Sequence, residues 1–358
     1  MTDLLTDKFF ALLRLSVGAA AERPVIQADE WPQLFAMAQK QQLAPLLFDG
    51  VQAMGDQAAI DGDLLMRWMG KSVQMERRNR QVDEAVGKVS AWFERKGFAT
   101  CLLKGQGNAL LYPHPQRRTA GDIDIWLSGR VPAIIRFVHS VAPGEKASYH
   151  HVAFPSKDGV PVEVHYRPCY LHNPWHNHRL QVFFRRQAHE QFAHRREVGG
   201  VAVGVPTASF NAVYQLVHIF NHLFQEGIGM RQIVDYYFVL RQMAAEGSDR
   251  EGVRHQLRLL GLTPFAGAVM YVLRMVLALP TSEMLVAEDE RRGRQLLADI
   301  LQGGNFGRFG ERPQQAQGTL GHNVERFRRD LRLVRLYPAE ALAEPFFRAW
   351  HYVWRLCH

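Results

Sequence analysis

Through most of the first hundred residues, apolar positions recur every three or four residues, a period that predicts helices. The repeat runs through LLTDKFFALLRL (residues 4–15) and again through WPQLFAMAQKQQLAPLLF (31–48), where it follows Pro32. A third, longer pattern (64–98) stops at Gly97, a residue suited to capping a helix C-terminus. The period then changes. Thr100 to Leu103 is a short apolar run, followed by Lys104-Gly105-Gln106-Gly107 and a helical turn or two that ends at Pro113. GDIDIWL (121–127) reads as a strand, and VPAIIRFVHSVA (131–142) as a helix with Pro132 in its first turn. HHVAF (150–154) and VPVEVHYR (160–167) alternate as strands do, and PSKDG between them has hairpin-turn chemistry. Residues 98–168 thus read strand, helix, strand, helix, strand, strand, a small α/β core. Residues 170–200, rich in His, Arg and Gln, receive no assignment. Helical periodicity returns after Pro206, in TASFNAVYQLVHIFNHLF and GMRQIVDYYFVLRQMAA, and a glycine-rich break at 303–318 reads as a loop. The chain divides into an N-terminal helical region (1–97), the core (98–200) and a C-terminal helical region (201–358), with no internal repeat.

Composition narrows the setting more than the function. At 358 residues, two or three modules are expected. The net charge of +8 suits a mildly basic surface or a preference for anionic ligands such as nucleotides, nucleic acid or acidic membrane. Cys101, Cys169 and Cys357 are widely spaced and form no CxxC, which argues against a disulfide scaffold or zinc knuckle and favours a reducing, cytoplasmic setting. The N-terminus lacks the basic region and uninterrupted apolar core of a signal peptide. The longest apolar run (265–280) contains Arg274 and is short for a membrane span, so a buried helix is expected there.

The candidate chemistry lies in RRTAGDIDIW (117–126). Strand alternation puts Asp122 and Asp124 on one face and Ile123 and Ile125 on the other. Two carboxylates on one face repel and raise each other's pKa unless water or a cation covers them. Hard dications such as Mg²⁺ take carboxylates, waters and phosphates as ligands. Alone, the pair also fits a solvent-facing strand edge. Gly121 permits close approach of a backbone or ligand. Glu163 alternates with Val162 and Val164 and shares a face with Pro161 and His165. If its strand lies beside GDIDIW, Glu163 stands next to the aspartates as a metal ligand or base; otherwise it is a strand-surface residue. The Lys104–Gly107 turn could aim backbone N–H groups at phosphate, with Lys104 adding a cation and the following helix its partial charge; a tight turn needing glycine is the simpler reading. Arg117 and Arg118 are further phosphate candidates. Together these parts describe phosphoryl-transfer equipment.

Other features have structural readings. His218 and His222, four apart on a predicted helix, line a cleft or fill the core. Arg231 and Asp235 read as an i,i+4 ion pair, with the alternative that Arg231 and these histidines face the nucleotide or acceptor. His172, His176 and His178 beside Trp175 make a polar loop. The basic, aromatic segments ERFRRDLRLVRLYP (325–338) and FFRAWHYVWRLC (346–357) form helices that pack their aromatic side inward.

LLKG before a short helix ending LYP, then RTAGDIDIW, then VEVHYR, together resemble the nucleotidyltransferase-fold superfamily of DNA polymerase beta-like and aminoglycoside-modifying enzymes. More narrowly, they resemble a bacterial family labelled "uncharacterised nucleotidyltransferase". HIFNHLF, GMRQIVDYYFVL and GGNFG resemble its helical portion, and the resemblance covers residues 30 to 350. It implies an α+β fold in which a small mixed sheet is flanked by helices. It also implies metal-dependent binding of a nucleoside triphosphate and transfer of its nucleotidyl group. By the same resemblance, Asp122, Asp124 and Glu163 are the metal-binding and catalytic acids, holding Mg²⁺ or Mn²⁺. Gly105 is the signature glycine, and Lys104 and Arg118 contact the nucleotide phosphates. The chain departs from the superfamily in carrying Lys104-Gly105-Gln106 where Gly-Ser or Gly-Gly is usual, and in a longer spacing from that glycine to Asp122. The expected reaction is attack of an acceptor hydroxyl on the α-phosphorus of an NTP, releasing pyrophosphate. The acceptor is a small molecule or a macromolecule; nucleic acid is not favoured as a partner. Two alternatives are a fold relative that binds nucleotide or a partner without transfer, and a transferase acting on RNA or protein.

Overall fold

A computed structural model describes residues 3–225, 227–304 and 333–356. Most of the glycine-rich break at 303–318, the stretch 325–332 and Cys357 lie outside the described residues.

The N-terminal helices form where the apolar period predicts, with local signals setting their ends. Helix α1 (Leu4–Ser16) starts at Asp3, whose carboxylate accepts from Thr6 N–H at 2.7 Å. The pattern at 31–48 is two helices, not one: α2 (Trp31–Lys40) and α3 (Ala44–Met54). Pro45 explains the break. It has no N–H and would clash inside a continuing helix, but fits the first turn of a new one. Gln42 makes the corner with a φ of 54°. The long α4 (Gly62–Arg95) is capped by Asp61 and ends just before Gly97.

The core is a six-stranded mixed sheet, so the molecule is α+β. Its strands are β1 (Thr100–Leu102), β2 (Ile123–Leu127), β3 (His151–Lys157), β4 (Val160–His165), β5 (Arg195–Val198) and β6 (Val201–Gly204), in the order β3-β4-β2-β1-β6-β5. Strand β2 is antiparallel to β1 and parallel to β4, and β6 is parallel to β1. The short helix α5 (Gln106–Ala109) follows β1, and α6 (Val131–Val141) follows β2. Asp158 and Gly159, both at positive φ, close the β3–β4 hairpin. The unassigned stretch contains α7 (Pro174–Ala193) and the first strand of the β5–β6 hairpin, so the sheet runs on to Gly204.

Strand alternation splits the sheet's side chains between two cores. Ile123, Ile125, Leu127, Val162 and Val164 pack on one face beneath α4 (Val82, Val86, Phe93) and α6 (Ile134, Val138). On the other face, Cys101, Leu103 and Trp126 belong to a larger cluster with α7, α8 (Ala208–Gln225) and α9 (Met230–Ala245). Each fully buried aliphatic side chain contributes about 1.5–3 kcal/mol, so both faces hold the sheet in place. Helices α10 (Arg250–Leu259), α11 (Thr263–Leu277) and α12 (Glu290–Gly303) follow in the C-terminal region. The expected buried helix is α11, and among the described residues no helix is long and apolar enough to cross a membrane.

Two expectations are corrected. The polar loop at His172–His178 is instead the start of α7: Asn173 caps it, and His176 Nδ1 donates to Glu340 at 2.9 Å. The last helix (Glu344–Leu356) packs only part of its aromatic side inward. Phe347 stacks on Tyr170, while Phe346 is 79% exposed and Tyr352 faces outward as well.

Candidate functional site

The second face of the sheet opens into a cavity of about 550 Å³ lined by Lys104, Asp122, Asp124, Glu163 and His165. Strand pairing explains the cluster. Asp124 stands opposite Glu163, and Trp126 opposite His165, in the parallel β2–β4 pair. Residues directly opposite share a face, so Asp124, Glu163 and His165 project together. On the next strand His151 pairs with His165 and Ala153 with Glu163. A register shift between Phe154 and Lys157 sets this alignment. Carried through unshifted from Lys157 and Val160, the hairpin would place Val152 opposite His165 and turn His151 away.

The glycine turn comes to the same place. Gly105 has a φ of 60°, and a Cβ there would lie 3.3 Å from the Asp122 carbonyl oxygen. The turn therefore packs its backbone against the approach to β2 in a way that favours glycine. Helix α5 has only four residues, so it supplies little of the helix partial charge expected for phosphate. Gln106 is buried and donates to Asn79 and Asp83 of α4, which fixes the turn from behind.

Asp124 is the electrostatic centre. It is 1% exposed; its Oδ1 lies 3.0 Å from Lys104 Nζ and accepts from His165 Nε2 at 3.0 Å. Burial opposes its charge, but Lys104 and His165 hold its pKa below the usual carboxylate value. Its Oδ2 is buried with no hydrogen-bond partner. Asp122, half-buried at the entry to β2, has its pKa raised by the Asp124 charge and by burial. Burial opposes the charges of Lys104, Glu163 and His165 too. The Asp124, Asp122 and Glu163 charges keep Lys104 protonated, and the nearby His165 lowers Glu163. The hydrogen bond to Asp124 and the Glu163 carboxylate 3.6 Å away raise His165 to about 9.

The two arginines part company. Arg117 pairs with Glu76 at 2.7 Å and Asp49 at 3.4 Å. Arg118, 5% exposed, lines the cavity but donates Nε and Nη2 to the two carboxylate oxygens of Asp235, each at 2.8 Å. Tyr112 OH also donates to Asp235, at 2.6 Å. Arg231, the expected partner of Asp235, donates to the Thr119 carbonyl at 3.1 Å and helps lower the Asp235 pKa. His218 and His222 line the cavity as the cleft reading expects, with their Nε2 atoms 3.1 Å apart.

With this geometry, comparison with known proteins becomes specific. The sequence profile of a family described as "Uncharacterised nucleotidyltransferase" matches residues 27–278, well over half of the chain. The chain belongs to this family. The family description supports nucleotidyl transfer as the general activity. The matched span takes in Lys104, Asp122, Asp124, Glu163 and His165. No curated protein and no solved structure matches the chain.

His165, His151 and His150 are among the cavity residues that sequence reasoning missed as site residues. His165 was visible as a same-face neighbour of Glu163. His151 depends on the register shift, which leaves no plain mark on the sequence. Tyr170, Gln215 and Asn221 also line the cavity, from segments distant in the chain.

Proposed function

We propose that the protein is a metal-dependent nucleotidyltransferase of the DNA polymerase beta-like superfamily, working in the cytoplasm. It transfers an NMP group from an NTP to an acceptor hydroxyl. The acceptor oxygen bonds to the α-phosphorus, the bond to the β-phosphate bridging oxygen breaks, and pyrophosphate leaves. The observation that carries this reading is the side-by-side placement of Asp124 and Glu163, beside Lys104 and the Gly105 turn, in one cavity. Asp122 and Asp124 would hold Mg²⁺ or Mn²⁺. The residues fit such an ion: Asp124 Oδ2 is a buried carboxylate oxygen without a partner, and Asp122 feels its like charge. When bound, the ion supplies positive charge to triphosphate oxygens. Lys104 and the Gly105 backbone face the phosphate chain. Arg118 adds its charge from the cavity wall while it remains bound to Asp235. Glu163, held ionised by His165, completes the acid set and accepts the acceptor's proton.

One observation favours a second reading, nucleotide binding without transfer. Lys104 lies 3.0 Å from Asp124 Oδ1 and already neutralises part of the acid cluster.

Calorimetric titration of each NTP, with and without Mg²⁺, tests the site in wild type, Asp122→Ala and Asp124→Ala. Binding that requires Mg²⁺ and weakens at least about 100-fold in both variants is expected, since each loses a charged ligand. Unchanged binding in both would remove these aspartates from the site. Mg²⁺-dependent binding without pyrophosphate release, across sugar, peptide and RNA acceptors, would select the second reading.

A further inference from the structure

The acid cluster has a nitrogen-rich side that nucleotidyl transfer to a hydroxyl does not require. His150, His151 and His165 each offer a ring nitrogen, and these atoms lie within 4.8 Å of one another. Asp124, Glu163 and His165 form a second group at the same spacing. Among the described residues, these are the groups of three or more His, Cys, Asp or Glu side chains compact enough for one ion, and both contain His165. Asp122 belongs to neither.

The distances fit direct ligation. His165 Nε2 is 3.0 Å from Asp124 Oδ1 and 3.6 Å from Glu163 Oε2, and His151 Nδ1 is 3.6 Å from the same Glu163 oxygen. Ligands held about 2.0–2.2 Å from a dication at tetrahedral or octahedral angles lie about 3–3.5 Å apart. Unpartnered buried atoms beside the group, one of them the oxygen that also suits Mg²⁺, point to a missing partner. Asp124, almost wholly buried, lines the cavity with Oδ2 unpartnered, and His150 Nδ1 is also buried without a partner. The outer contacts suit ligation as well. His165 Nδ1 faces the Arg167 carbonyl at 3.4 Å, the contact that orients a ligating imidazole, and an ion would take Nε2 by displacing the proton it donates to Asp124.

Donor chemistry selects the ion. Mg²⁺ demands oxygen and keeps its waters, whereas imidazole with carboxylate suits a borderline dication such as Zn²⁺. We propose that His150, His151 and His165, together with Asp124 and Glu163, form a binding site for a Zn²⁺-type transition-metal ion distinct from the Mg²⁺ that accompanies the nucleotide. The inference deepens the proposed function, on which the dual use of Asp124 and Glu163 rests. A resident ion there would fix both carboxylates before nucleotide enters, with Lys104 still able to pair with Asp124 Oδ1.

The test titrates the metal-free full-length chain with Co²⁺, read by its visible d–d absorption, and with Zn²⁺ in competition with a chromophoric chelator. Wild type, His151→Ala, His150→Ala and the nearly isosteric His151→Gln are compared, each checked for native circular dichroism. Mg²⁺–ATP binding is measured separately by calorimetry. The expected result is Zn²⁺ binding by wild type, weakened at least about 100-fold in the His151 variants, beyond the usual effect of losing an outer-shell contact. The Co²⁺ band should be lost with it. No Zn²⁺ binding by wild type, or equal binding in every folded histidine variant, overturns the inference and leaves the Mg²⁺–NTP reading standing. Zn²⁺ bound through the histidines, with no Mg²⁺–NTP binding, sustains the inference and sinks the proposed function.

Discussion

Strand alternation puts Asp122 and Asp124 on one face, because a two-residue period needs only the strand to be recognised; Glu163 joins them only because its strand pairs with theirs, which alternation does not reveal. What alternation cannot supply is the partner chosen by a side chain from a distant helix. Arg118 was expected to meet phosphate, and the structure commits two of its nitrogens to Asp235, more than a hundred residues away. Truncating Arg118 would leave Asp235 charged and buried, so Arg118→Ala should lose about 3–5 kcal/mol of unfolding free energy in a urea titration. A loss under about 1 kcal/mol would mean that Asp235 does not depend on this pair. The same pair sets a pH dependence. Burial would raise the Asp235 pKa, but Arg118 and Tyr112 bring it below the unfolded carboxylate value. Its contribution is therefore complete above about pH 4 and is lost as pH falls toward the lowered folded value. Asp235→Asn should flatten the stability profile below about pH 4 and leave its slope near neutrality unchanged.

Elements were legible where the chain buries a regular face and illegible where it does not. Helix α4 and strands β2 and β4 show their periods plainly. Helix α7 buries only Leu180, Phe184 and Gln191 along twenty residues, so it has no apolar stripe to read. Strand β5 exposes Arg195, Arg196 and Glu197, and only Val198 is buried. The β5–β6 hairpin is held by Val198 and Val203 in the core beneath α4 and by a close backbone fit. Gly199, in its turn, has a φ of 57°, and a Cβ there would lie 2.4 Å from the Asp83 carbonyl oxygen on α4. Gly199→Ala combines a left-handed conformation with a backbone collision, and should destabilise the protein by about 2–4 kcal/mol. Thermal or urea unfolding checks this. A variant within about 0.5 kcal/mol of wild type would show that the hairpin is not pressed against α4 in solution.

At the scale of the whole molecule, the site belongs to no single stretch of sequence. The sheet supplies the acids, but Asp235 and Arg231 come from α9, His218 from α8, and Gln42 from the corner between α2 and α3. Thr119, just before the acids, donates its hydroxyl to the Gln42 carbonyl at 2.6 Å. The two sheet faces depend on both flanks: one packs under α4, and the other places Cys101, Leu103 and Trp126 in the C-terminal helical core. Trp126 alone contacts Phe192 and Phe210, with ring centroids 4.7 and 6.0 Å away. A chain cut to residues 98–204 would keep all six strands with α6 and α7, but would strip α4 from one apolar face and α8 and α9 from the other. About 100 residues retaining so little burial should not hold a fold. We expect that fragment to aggregate or to show no cooperative melt, and to bind neither Mg²⁺–NTP nor Zn²⁺, whereas the full chain melts cooperatively. A monomeric fragment with a cooperative melt would instead show that the sheet forms its own domain. The helices would then be there to shape the acceptor side of the cavity rather than to support the acids.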